Sequence, residues 1–299
     1  MNRRNFLIGT ATLSTALLAR QAFSSAVLPN LSFSTLGCPD WTFRQIVEFA
    51  VAHGYQGIEV RGILHELNLP VCSEFSKQNL AATRQLMKDN HLQFANLGSS
   101  ATLHYADTAV RAKNIDEGKR FIDLAHELSC PYVRVFPNNF PKEQEKARTM
   151  DLIAEGLHTL GDYAKDSGVT VLIESHGDLV VTEDILSVMA AADNKHAGLI
   201  WDVTNMWVKT KEPPAQVYGK LKKYIRHTHI KDAKVTGENI RYVLLGKGDV
   251  PILEAVDSLR HGGYNGYYSF EWEKLWHPEI EEPDKAIADY ADVMRKHFS

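Results

Sequence analysis

Eight short apolar runs alternate with eight longer amphipathic stretches along residues 31–299, and no other feature narrows the fold as much. The strand-like runs cover residues 31–36, 57–61, 92–97, 132–136, 170–174, 197–202, 224–230 and 267–271. Between them lie helix-like stretches. Asp40 and Thr42 can cap the first of these, which runs to about residue 53 with Gly54 behind it. Others cover 76–90, 108–128, 142–166, 182–192 (with Thr182 as the expected cap), a helix opened by Pro213 and Pro214, 250–261 and 284–297. Strand–helix alternation implies parallel strands with helices packed outside them. Eight such units imply closure into a single (β/α)8 barrel, a fold of roughly 250 residues. An open doubly wound sheet would be expected to show a glycine-rich phosphate loop after an early strand. The first strand instead leads into Gly37-Cys38-Pro39-Asp40. Residues 232–251 form the longest irregular stretch, and the strand-like piece at 241–245, followed by Gly246 and Gly248, reads as a loop over the barrel mouth.

The first 26 residues read differently. Arg3-Arg4-Asn5-Phe6-Leu7 precedes an uncharged stretch to Ala19, and Ser24-Ser25-Ala26 offers small residues for cleavage. This pattern predicts a twin-arginine export signal over residues 1–26, a barrel over 27–299 and a periplasmic or otherwise exported protein. The stretch is shorter than the ~20 apolar residues of a membrane span, so no stable insertion is expected after cleavage. Loss of that segment removes three arginines and no acid, moving the formal charge from −4 to −7. An acidic chain without a basic tract is a poor partner for nucleic acid. Cys38, Cys72 and Cys130 are odd in number and widely spaced, which predicts neither a disulfide framework nor a cysteine zinc site.

Four successive runs in the second half close on a potential metal ligand: Glu174 in VLIES, Asp202 in GLIWD, His229 in RHTHI and Glu271 in SFE. Parallel barrel strands all end at one face, so these residues would converge there. Three carboxylates and one imidazole suit one divalent cation, Mn2+ or Mg2+ first, with Co2+ or Zn2+ as alternatives. Glu273, two residues beyond Glu271, is the competing ligand on the last strand. His176, Lys231, Arg241 and Glu59 are candidate substrate contacts at the same rim, and His227 is expected to pack deeper in the barrel.

The runs LGCPDWTFRQIVEFAVAHGYQGIEVRG, VLIESHGD, HTHIKD and SFEWEKLWHPEIEEP make the chain resemble the xylose-isomerase-like TIM barrel superfamily over nearly all of residues 31–299. That superfamily includes sugar isomerases and epimerases, inosose dehydratases and, more distantly, endonuclease IV. The resemblance implies that Glu174, Asp202, His229 and Glu271 hold the metal and that Glu174 and Glu271 also form the acid/base pair. It implies a metal-dependent sugar isomerase or epimerase that abstracts a proton next to a carbonyl through an enediolate. The substrate would be a small carbohydrate or cyclitol, with homo-oligomer formation left open. Asn205 stands where the family often has a substrate-contacting histidine. The same site would also serve a 3-keto-glycoside lyase or hydrolase, or a keto-cyclitol dehydratase. An endonuclease IV-like phosphodiesterase would need more histidines and a basic face, and a sugar-binding protein would need two lobes.

Overall fold

A computed structural model describes residues 28–299. The expected export signal, residues 1–26, lies outside the described residues. Eight parallel strands close into one barrel: β1 (Asn30–Ser34), β2 (Gly57–Val60), β3 (Gln93–Thr102), β4 (Tyr132–Phe136), β5 (Thr170–Glu174), β6 (Ala197–Asp202), β7 (Ile225–Ile230) and β10 (Tyr267–Phe270). They follow chain order around the barrel, and β10 pairs with both β7 and β1. A two-stranded antiparallel hairpin, β8 (Asp232–Thr236) and β9 (Asn239–Val243), rises from the end of β7.

The helices form the outer shell: α1 (Phe43–Ala52), α2 (Leu80–Asp89), α3 (Thr108–Leu128), α4 (Lys146–Tyr163), α5 (Thr182–Ala192), α6 (Val203–Thr210), α7 (Pro214–Leu221), α8 (Ile252–His261) and α9 (Pro283–Phe298). α1 shows why these segments are helical. Phe43, Ile46, Val47 and Ala50 recur at helical spacing and are all buried. Thr42 and Gln45 form a reciprocal capping box: Thr42 N–H donates to Gln45 Oε1 at 2.8 Å, and Gln45 N–H donates to Thr42 Oγ1 at 3.3 Å. Among the described residues no helix is long and apolar enough to cross a membrane. The three cysteines are buried and free.

Four local expectations are corrected. β3 runs on to Thr102, because Ser99 Oγ donates to Arg134 O at 2.5 Å and Asn114 Oδ1 accepts from Thr102 N–H, holding the chain extended past a register shift. Thr182 does not cap α5; Val181 occupies that position, and the buried Thr182 hydroxyl donates to Glu212. Val203–Thr210 is a helix that the sequence reading omitted, and its cap is Asp202, whose Oδ1 accepts from Asn205 N–H at 2.8 Å. Of the strand-like piece at 241–245, residues 241–243 belong to β9 of the hairpin and 244–245 turn away from it, so the segment is an ordered hairpin and not a loop. Asp232 fastens the base of that hairpin by accepting from the N–H groups of Ala233, Gly246 and Gly248 at 2.8–2.9 Å.

Strand alternation sends one set of side chains outward to the helices and the other into the barrel. The outward set is apolar, as in Trp201, which faces Tyr218 of α7, and Phe270, which stacks on Tyr290 of α9. The buried polar set includes Glu59, Asn96, Arg134, Glu174, Asp202, His227, His229, Ser269 and Glu271. So many buried ionisable groups in one space require mutual compensation, and the site is built from that requirement.

Candidate active site at the C-terminal end of the barrel

Glu174 ends β5, Asp202 ends β6, His229 is the penultimate residue of β7 and Glu271 directly follows β10. Each offers one ligand atom, and these four atoms lie within 4.8 Å of one another. Register produces the convergence: Asp202 pairs with His229, and His229 with Ser269, two residues before Glu271. All four residues are buried.

His229 is the hub. Its Nδ1 lies 3.1 Å from Glu174 Oε1 and 3.1 Å from Glu271 Oε1. Its Nε2 lies 3.0 Å from Glu59 Oε1. Burial opposes charge on the ring, but Glu271, Glu59 and Glu174 outweigh it and hold the imidazole well above its ordinary value. Glu59 also meets His227 Nε2 at 2.7 Å and accepts from Ser269 Oγ at 3.1 Å. Burial pushes its carboxyl up, but the neighbouring His229 and His227 outweigh burial and hold it far below the usual carboxylate range.

Two cations complete the wall. Arg134, from the middle of β4, donates through Nη1 to Glu174 Oε2 at 2.9 Å and through Nη2 to Ser99 O at 3.0 Å. Lys231 Nζ lies 2.6 Å from Glu271 Oε2, 2.5 Å from Glu273 Oε1 and 2.8 Å from Asp202 Oδ2. The approach to Asp202 is off the hydrogen-bonding direction, so Oδ2 is buried beside a positive charge yet accepts no hydrogen bond. Burial raises the Asp202 carboxyl to about 7 despite Lys231. Burial also opposes charge on Glu271, but His229 and Lys231 prevail and keep it ionised.

A small cavity of about 100 Å3 adjoins this cluster. Its lining includes His176, Asn205, Ile240 and Tyr242. Asn205 bonds Asp202, and the Tyr242 ring lies 5.5 Å from Lys231 Nζ. His176 packs on Phe136 at 4.8 Å, its Nδ1 is buried without a partner, and burial holds the ring below its ordinary value and so neutral.

Of the candidates read from sequence, Glu174, Asp202, His229 and Glu271 come together, and His176 and Asn205 line the adjoining cavity. Three substrate-contact expectations are corrected. Glu59 is fully buried behind His229, held by two imidazoles and a hydroxyl, so it orients the histidine instead of lining the mouth. Lys231 is also buried, with three carboxylates on its ammonium, so it is part of the cluster itself. Arg241 is exposed and does not line the adjoining cavity; it lines an open cleft with Lys234, Lys247 and residues 279–282, which meets that cavity at Tyr242. Glu273 contacts Lys231 and stands outside the four-residue group. Neither Arg134 nor Arg61 stands out in sequence as a site residue. The only signal for Arg134 was an arginine at the centre of the otherwise uncharged strand YVRVF.

A family model described as xylose isomerase-like TIM barrel matches residues 47–297. The chain is 25% identical over 226 residues to a fructoselysine 3-epimerase of Shigella flexneri, a match covering 73% of this chain and 80% of that one. It is 29% identical over 153 residues to an inosose dehydratase of Geobacillus thermodenitrificans, covering 44% of this chain and about half (49%) of that relative. A crystal structure of the IOLI protein with a binding zinc atom shares the fold, with a TM-score of 0.74 at 20% identity over 90% of this chain and 99% of that one.

Proposed function

This chain belongs to the xylose isomerase-like TIM barrel family, and on that premise we propose that it is a metal-dependent sugar isomerase or epimerase that removes a proton next to a carbonyl. The observation that carries the reading is the buried convergence of three carboxylates and one imidazole at the rim where barrel enzymes keep their chemistry. The donor set fits a divalent cation. Ligands about 2.1 Å from an ion lie up to roughly 4.2 Å from one another, so a contraction of a few tenths of an ångström from the observed spacing suffices. Asp202 Oδ2, in contact with Lys231 Nζ at 2.8 Å but without an aligned hydrogen bond, would exchange that contact for the ion. Glu174, Asp202, His229 through Nδ1 and Glu271 would hold the ion, which when bound would supply Lewis-acid polarisation of a carbonyl.

The side chains divide the remaining work. Glu59 takes the Nε2 side of His229, which directs Nδ1 toward the acids and fixes the ring. Arg134 and Lys231 each bind the Oε2 of one glutamate, leaving both Oε1 atoms facing His229. Against burial, His229 first and then Arg134 at Glu174 and Lys231 at Glu271 favour the ionised carboxylates, the form a general base requires. One glutamate takes the proton from one face of the carbon beside the carbonyl. The other carboxyl, having first taken a proton from solvent, delivers it to the opposite face of the resulting enediolate, inverting the centre and ending as a carboxylate. Asn205 and His176 would contact substrate hydroxyls; an amide can hydrogen-bond a hydroxyl but cannot shuttle its proton.

The test is solvent exchange. The Mn2+-loaded protein, incubated in D2O with a panel of ketoses, should place deuterium at the carbon beside the carbonyl. Glu174→Gln and Glu271→Gln should each abolish it, and undiminished exchange in both variants would remove their assigned role. The relation to an inosose dehydratase supports a second reading, β-elimination from the same intermediate. A product of unchanged mass favours epimerisation, and loss of water or of an alcohol favours elimination.

A further inference from the structure

Among the described residues only three lysines or arginines are buried: Arg61, Arg134 and Lys231. Arg134 and Lys231 are ion-paired to the acids of the cluster. Arg61 is 5% exposed and has no carboxylate within ion-pairing distance. Its guanidinium donates to neutral groups only, through Nη2 to Ser100 Oγ at 2.9 Å and through Nη1 to Gly98 O at 3.4 Å. Glu271, Glu117 and Glu174 act on it through space without touching it.

The cation is held there by a gap in the wall. Arg61 directly follows β2, Arg134 is the centre of β4, and the intervening strand β3 offers Gly98 between them. A Cβ at Gly98 would lie 2.7 Å from Arg61 Cδ and 3.2 Å from Arg134 Nη2. The absent side chain is what lets the two arginines lie side by side. Two like charges packed together in a low-dielectric interior repel, and a buried charge without a partner is costly. Further unsatisfied groups share this wall: Arg134 Nε and both amide atoms of Asn96, two residues before Gly98 on β3, are buried without hydrogen-bond partners.

We propose that Arg61, beside the unpaired edge of Arg134, is an anion subsite, and that the substrate carries a carboxylate in addition to its carbonyl. For the position of the carbonyl, the proposal rests on the reaction reading above. The acid cluster on β5, β6, β7 and β10 would take the reacting end, and the arginine wall on β2 and β4 the charged end. A guanidinium fork matches a carboxylate in two parallel hydrogen bonds. A phosphate ester is less suited, because no helix begins at the end of β2 and the backbone N–H groups of Arg61 and Gly62 there already donate to Thr35 Oγ1. The substrate class is therefore an oxidised carbohydrate, a keto acid of the sugar series.

The experiment is calorimetric titration of the full chain, loaded with Mn2+, using three probes: 5-keto-D-gluconate, D-fructose and D-fructose 6-phosphate. The wild type should bind the keto acid at least about tenfold more tightly than fructose, about 1.4 kcal/mol. Arg61→Met should erase that preference while Mn2+ stoichiometry stays unchanged. Arg61→Lys, which keeps the charge and loses the fork, should retain part of it and covers the case in which Arg61→Met fails to fold. A preference that survives in both variants, or keto-acid affinity no better than that of fructose, overturns the subsite. Tighter binding of the phosphate ester overturns the carboxylate assignment. Deuterium exchange on the same samples separates the two proposals. Arg61-dependent acid binding without exchange removes the reaction reading and leaves the subsite. Exchange at equal rates on acid and neutral ketose, unaltered by Arg61→Met, removes the subsite and leaves the reaction.

Discussion

The two halves of the barrel carry opposite chemistry. The second half, β5 to β10, brings Glu174, Asp202, His229 and Glu271 to the rim, with Lys231 drawn in among them. The first half, β1 to β4, supplies Arg61 and Arg134, the amide of Asn96, and one acid, Glu59, turned toward His229. One half concentrates negative charge where strands end. The other sets positive and amide groups against it. The lesson concerns compensation: a buried acid cluster is tolerable because one cation from each half pairs with it, Arg134 from β4 and Lys231 from the end of β7, so its chemistry depends on both halves.

That contrast can be broken in order of expected effect. Arg134→Met leaves Glu174 buried beside other acids, and loss of one partner of a buried pair costs about 3–5 kcal/mol. Urea denaturation of the metal-free variant should show that loss, with saturating Mn2+ recovering part of it. Equal stability of variant and wild type would mean that the two walls are not electrostatically linked. In the second half, Asp202→Ala or His229→Ala should weaken Mn2+ binding by more than the ~10–100-fold expected when a group behind a ligand is lost. Equilibrium dialysis with elemental analysis reads this directly. Glu59→Gln, in the first half, should stay within that ~10–100-fold range, because it alters the orientation of His229 and not the ligand count. An effect as large as that of His229→Ala would move Glu59 into the ligand set. Arg241→Ala should change Mn2+ affinity by less than about twofold, since it is exposed, forms no ion pair with the four ligand residues and its charge is screened by solvent. A larger effect would restore it to the site.

The two halves also differed in how legible they were from sequence. The eightfold alternation gave the closed barrel, because strands buried on both faces read as short apolar runs between helical patterns. Residues 108–128, 132–136, 170–174 and 197–202 match the observed elements end to end. The four rim residues stood out because each closes an apolar run. The opposing wall did not stand out. Arg134 sits mid-strand, where a lone arginine ordinarily signals exposure, and its inward direction depends on register with β3 and β5. Arg61 was read as the end of a strand, and the space it occupies is created by Gly98, 37 residues later. Glu59 and Lys231 were visible as polar residues near strand ends, but depth in the barrel decides their partners, and depth is not written in spacing. α6 escaped notice because its cap is Asp202, a residue already read as a ligand.

The most direct test of the account is the position of a bound ion. Crystals grown with Mn2+ and measured at the manganese edge should show one anomalous peak about 2–2.3 Å from Glu174, Asp202, His229 Nδ1 and Glu271. No peak among those four side chains at saturating Mn2+, or a peak ligated by other residues, would contradict it.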